Sequence, residues 1–138
     1  MKIMNIYLDI DGVLLANDKE AAHHADKFLQ AVLEKCPDST YWLTTHNWRG
    51  ENRAKEVLAP HLNPETVELL DKIKPSEWND LKTDAIDFEQ DFLWFDDDLW
   101  PNELSVLEKH EAVQNFIMVD LHKDPDMLDK LTQVILGK

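Results

Sequence analysis

Two aspartates, Asp9 and Asp11, stand inside the apolar stretch IYLDIDGVLL at residues 6–15. An unpaired carboxylate buried there would cost several kcal/mol or give up its charge. A second acidic group, Asp96, Asp97 and Asp98, directly follows the apolar run FLWF. Gathered carboxylates repel one another unless a cation sits among them. Carboxylate and carbonyl oxygens together with water form a hard-oxygen site suited to Mg²⁺, which keeps several waters and accepts a substrate phosphate as a further ligand. No Cys or His stands within either acidic group, which disfavours Zn²⁺. Metal binding would offset the cost of burying the acids.

The surrounding elements explain how such residues would meet. Residues 3–10 form a nearly continuous apolar run, as expected of a strand covered on both faces. Ala22, Ala25, Phe28, Leu29, Val32 and Leu33 recur at helical spacing, which predicts a helix near 19–35. A second strand follows at 40–44 and stops in the polar stretch THNWRGEN. Ala54, Val57 and Leu58 suggest a helix closed by Pro60. Pro64, Val67, Leu70 and Ile73 fit a short helix, although part of 64–81 also reads as a short strand. A helix near 83–90 precedes a strand at 91–95, and Pro101 opens a helix carrying Leu104 and Leu107. A strand at 115–121 leads to Asp124-Pro125, an N-cap followed by a first-turn proline. The last helix then carries Met127, Leu128, Leu131, Val134 and Ile135 and ends at Gly137.

This alternation predicts an α/β fold: a Rossmann-like three-layer sandwich with a mostly parallel central sheet in a single domain of 138 residues. In such sheets the site lies at the carboxyl ends of the strands. Asp9 and Asp11 end the first strand, Thr44 and Thr45 the second, and Asp96, Asp97 and Asp98 a third. Three strands thus deliver polar groups to one edge.

Composition narrows the partners. The formal net charge of −14 makes a general electrostatic grip on nucleic acid unfavourable, because that binding depends on clustered Lys and Arg. No apolar run approaches the length of a membrane span, and no signal peptide is visible, so no membrane partner is expected. The single cysteine, Cys36, suits a reducing compartment, and a cytoplasmic location is the expectation. Only three glycines are present, with no Gly-rich loop ending in Lys-Ser/Thr, so P-loop chemistry has little support.

These residues, in this order, resemble the haloacid dehalogenase-like superfamily, most of whose members are Mg²⁺-dependent phosphotransferases. Its first motif, Asp-x-Asp-Gly-Thr/Val, matches DIDGV at 9–13. Its second, a strand ending in Thr or Ser, matches YWLT with Thr44, and the adjacent Thr45 is a rival. Its third, a Lys opening a helix, matches Lys82, with Lys74 and Lys72 as alternatives. Its fourth, an apolar strand ending in paired acids, matches Asp96 and Asp97; Asp98 leaves the register open by one residue. The resemblance covers nearly the whole chain.

The resemblance implies that Asp9 is the nucleophile and forms an aspartyl-phosphate. Asp11 would protonate the leaving oxygen and then help deprotonate water. The Asp9 and Asp96 carboxylates and the Asp11 backbone carbonyl would hold Mg²⁺, with Asp97 supporting that shell or orienting Lys82. Thr44 or Thr45 and Lys82 would bind the phosphoryl group. The short segments at 12–39 and 46–81 leave little room for a cap domain, so the chain resembles capless members. Their open sites admit macromolecular, nucleotide or polynucleotide substrates, so an end-phosphate substrate fits despite the overall charge. His46, Asn47, Trp48 and Arg49 would line the mouth, with Trp100 similarly placed. Two other readings remain: a receiver-type phosphoacceptor, disfavoured by motif order, and a catalytically silent binding member. The sequence leaves the size of the phosphorylated substrate and the oligomeric state open.

Overall fold

A computed structural model describes residues 4–50 and 52–135, with side chains described for all of these except 48–50. Its central sheet is built from β1 (Met4–Leu8), β4 (Thr40–Trp42), β5 (Asp91–Asp96) and β6 (Phe116–Met118), in the order β4-β1-β5-β6. All three pairings are parallel. β1 and β5 are central, and apolar side chains cover both faces. Ile6 and Leu8 join Phe95, Trp42, Phe28 and Leu29 in one core, whereas Tyr7 joins Phe92, Trp94 and Leu107 in the other. The alternation along β1 and β5 therefore feeds two cores, because successive strand side chains point to opposite faces.

The first core lies beneath α1 (Ala25–Lys35) and α5 (Met127–Ile135), and the second beneath α4 (Pro101–Lys109). Helices thus flank the all-parallel sheet, as expected of a Rossmann-like sandwich. No cap domain is evident among the described residues. Between β4 and β5 the described residues form only α2 (Ala54–Leu58), α3 (Pro64–Leu69), short 3₁₀ turns and an isolated bridge at Lys74.

Several local expectations need correction. The segment before α1 is a hairpin, β2 (Leu15–Asn17) paired antiparallel with β3 (Glu20–Ala21). Asn17 Oδ1 accepts the Lys19 N–H at 2.8 Å, a side-chain-closed turn, and Ala22 N–H bonds Leu14 rather than a helical carbonyl. The helix expected near 83–90 is a single 3₁₀ turn, Lys82–Ala85. Ile86 is extended, and Asp87 N–H donates to the Tyr7 hydroxyl. Both readings of 64–81 hold in part: α3 is helical, and Lys74 makes an isolated parallel bridge to Tyr41.

Shorter elements also replace longer expected ones. A 3₁₀ turn at Val113–Asn115 delays β6. Asp124 Oδ1 takes the Asp126 N–H in a turn, so α5 begins at Met127. Gly137 lies outside the described residues.

Candidate functional site

The sheet register fixes the acids. β1 runs beside β5 with Leu8 opposite Phe95, so both strands end at the same level and turn into Asp9 and Asp96. Asp9 N–H donates to Phe95 O at 3.1 Å, and Asp96 O accepts Val119 N–H at 2.9 Å. Both acidic side chains are buried, with Asp9 6% and Asp96 1% exposed. Asp97 follows at the surface. One ligand oxygen from each of Asp9, Asp96 and Asp97 lies within 4.8 Å of the others.

Lys82 enters this group from the turn after Leu81. Its Nζ lies 2.7 Å from Asp96 Oδ2 and 3.3 Å from Asp9 Oδ2. Burial alone would lower the lysine's pKa, but the two carboxylates outweigh it and hold the ammonium above its ordinary value. Asp96 is pushed up to about 8, first by burial and then by the Asp9 charge, with Lys82 opposing. Burial likewise raises Asp97, and Asp9 adds to the effect. One ammonium does not balance three gathered carboxyl groups, and Asp96 responds by holding its proton. Their hard oxygens and close spacing could hold a metal ion.

Gly12 makes this packing possible. Its φ of +78° is left-handed, and a β-carbon there would collide with the Asp97 carboxylate. The glycine of DIDGV thus serves both a backbone conformation and a close approach to the acid at the end of β5.

The remaining candidates occupy distinct places. Asp11 is exposed, and its Oδ2 lies 3.0 Å from His46 Nε2. Thr44 is fully buried, and its Oγ1 accepts the His46 backbone N–H at 3.3 Å. Thr45, not Thr44, lines the cavity over the acids. Lys74 points elsewhere: its Nζ donates to Asp38 O at 2.8 Å, before the start of β4. Lys72 is exposed at the end of a 3₁₀ turn. Asp98 lines the same cavity and its Oδ2 accepts the Trp100 indole N–H at 3.0 Å, but the acids whose oxygens gather with Asp9 are Asp96 and Asp97. Asn47 is buried and caps the chain by accepting the Arg53 and Ala54 N–H groups. The Trp48 and Arg49 side chains lie outside the described residues.

The cavity is about 240 Å³, with Trp78 and Trp100 beside the acids on its wall. Glu103, buried on α4, also lines it and was not singled out from sequence. Its signal was legible: Pro101 at the first helical position with Glu two residues on is an N-terminal helix pattern. No protein-family model matches the chain, and no curated protein matches it significantly.

Proposed function

We propose that this protein is a Mg²⁺-dependent phosphatase that hydrolyses phosphate monoesters through an aspartyl-phosphate on Asp9. The observation that carries the reading is the meeting of Asp9, Asp96, Asp97 and Lys82 at the carboxyl edge of the sheet. The resemblance of DIDGV and the later acid pair to the haloacid dehalogenase-like motifs supports it.

The roles follow from position. The Asp9 carboxylate attacks phosphorus, an Asp9 O–P bond forms, and the ester P–O bond breaks. Asp11 gives its proton to the departing oxygen, and the alcohol leaves. Water then attacks the aspartyl-phosphate and gives a proton to Asp11, while the bond to Asp9 breaks. Lys82 balances negative charge on Asp9 and the phosphoryl oxygens, and Thr45, which lines the same cavity, would supply a hydroxyl to them. Asp9, Asp96 and Asp97 would hold the metal ion, with the Asp11 backbone carbonyl as a further donor. When bound, a divalent cation supplies the positive charge that lets two anions approach.

The test is hydrolysis of p-nitrophenyl phosphate by the wild type, Asp9→Asn and Asp11→Asn, with Mg²⁺ and with EDTA. Full activity in the Mg²⁺-loaded wild type, slow residual turnover in Asp11→Asn with Mg²⁺, and none in Asp9→Asn or in any EDTA arm are expected. Equal rates in all arms would remove the reading.

A further inference from the structure

Asp11 is the most exposed of the proposed reacting groups, with 59% of its side chain accessible. An exposed carboxylate samples several rotamers, yet a proton donor must present one oxygen to the departing group. The contact that selects a rotamer here is the imidazole of His46, 29% exposed, whose Nε2 stands 3.0 Å from Asp11 Oδ2.

Both partners are fixed from behind. His46 donates its backbone N–H to Thr44 Oγ1, and the next residue, Asn47, is buried and donates to Thr44 O at 3.1 Å. On the other side, Asp11 makes a bridge to Leu15, and Gly12 N–H donates to Leu15 O at 2.8 Å. Leu14 and Leu15 N–H groups close onto Ile10 O at 2.9 and 3.0 Å. The contact therefore joins two pinned turns 35 residues apart. It differs from a chance pairing of two mobile surface chains.

We infer that His46 is a positioning residue for proton transfer by Asp11, an inference that rests on the phosphatase reading. In the tautomer that carries its proton on Nε2, the imidazole N–H holds Oδ2, which leaves Oδ1 to carry the proton toward the leaving oxygen. As the ester P–O bond breaks, that proton passes from Asp11 to the alkoxide or phenoxide. His46 neither gains nor loses a proton. Its contribution is orientation, so it matters most where the leaving group needs protonation and least where it departs readily as an anion.

The experiment measures kcat/KM for a series of substituted phenyl phosphates, from p-nitrophenyl to unsubstituted phenyl and p-methoxyphenyl. The ring remains similar while the leaving group becomes more basic, and kcat/KM reports binding and phosphorylation without the later hydrolysis of the aspartyl-phosphate. His46→Ala is expected to steepen the dependence on leaving-group basicity. The p-methoxyphenyl ester should lose about tenfold or more, and the p-nitrophenyl ester much less. His46→Gln, whose amide N–H can reach the carboxylate, should recover most of the loss. A uniform loss across the series, no loss, or Gln no better than Ala would overturn the inference while leaving the phosphatase reading intact. A wild type already as steep as His46→Ala would also overturn it. A wild type inactive on every ester would remove the phosphatase reading and this inference together.

Discussion

Glu103 accepts the backbone N–H of Lys82 at 3.0 Å, and its second carboxylate oxygen accepts the N–H of Trp100 at the same distance. One buried side chain thereby caps α4 and holds the turn that carries the lysine into the acids. Hydrogen bonds to an ionised acceptor are among the stronger ones, and leaving partly buried N–H groups without a partner is costly. Glu103→Ala should destabilise the fold by about 3 kcal/mol and Glu103→Gln by about half as much. Urea unfolding monitored by tryptophan fluorescence checks this; equal stability of both variants with the wild type would contradict it.

Gly12 predicts a coupled loss of stability and metal response. Gly12→Ala places a side chain at left-handed φ and drives it into Asp97. A cost of about 2 kcal/mol or more is expected. The stabilisation that Mg²⁺ confers on thermal unfolding should also shrink, because Asp97 must move. An undiminished Mg²⁺ shift in this variant would separate Gly12 from the site.

Stability of the metal-free protein should depend on pH through Asp96. Its folded pKa, about 8, lies above the ordinary 3.8, so the native state binds the proton more tightly than the unfolded chain. The stabilisation is therefore fully present below the unfolded value and is lost as pH rises through the folded one. Thermal midpoints in EDTA from pH 4 to 9 should fall more steeply for the wild type than for Asp96→Asn, which has no proton to lose. Saturating Mg²⁺ should raise the midpoint more at pH 8 than at pH 5, since protons compete for the same oxygens. A wild-type slope equal to that of Asp96→Asn would contradict the assignment.

The cavity wall is rich in carboxylates and has Lys82 as the single cation among its described lining residues, in a chain of net charge −14. An anionic substrate approaches this field uphill, and salt screens it over roughly 8–10 Å at physiological strength. With Mg²⁺ saturating, kcat/KM for p-nitrophenyl phosphate should rise about threefold as ionic strength rises from about 10 to 150 mM. Asp80→Asn, at the cavity rim, should weaken the dependence. A rate that falls with salt would show an attractive field instead.

Much of this arrangement was legible along the chain. Apolar runs ending in Asp9 and Asp96 placed both acids at strand ends, and the parallel order then required a shared edge. The hairpin at 15–21 was hidden because its strands are two and three residues long and Ala21 and Ala22 extend the helical pattern of α1. The choice between Lys82 and Lys74 was tertiary: Lys74 is occupied by Asp38 O, and Glu103, 21 residues away, fixes the Lys82 turn. The Asp11–His46 contact was likewise invisible, since no local rule joins side chains 35 residues apart. The helix expected near 83–90 is only the 3₁₀ turn at 82–85, and the strand expected from Asn115 starts one residue later because Asn115 closes a 3₁₀ turn.

The most direct measurement is the intact mass of Asp11→Asn after rapid mixing with p-nitrophenyl phosphate and acid quench. This leaving group departs without a proton, but the variant lacks the base that activates water. One phosphoryl group per chain should accumulate with Mg²⁺, map to Asp9 by peptide sequencing, and vanish in EDTA. An unmodified chain, or a phosphoryl group on any other residue, would contradict Asp9 as the nucleophile.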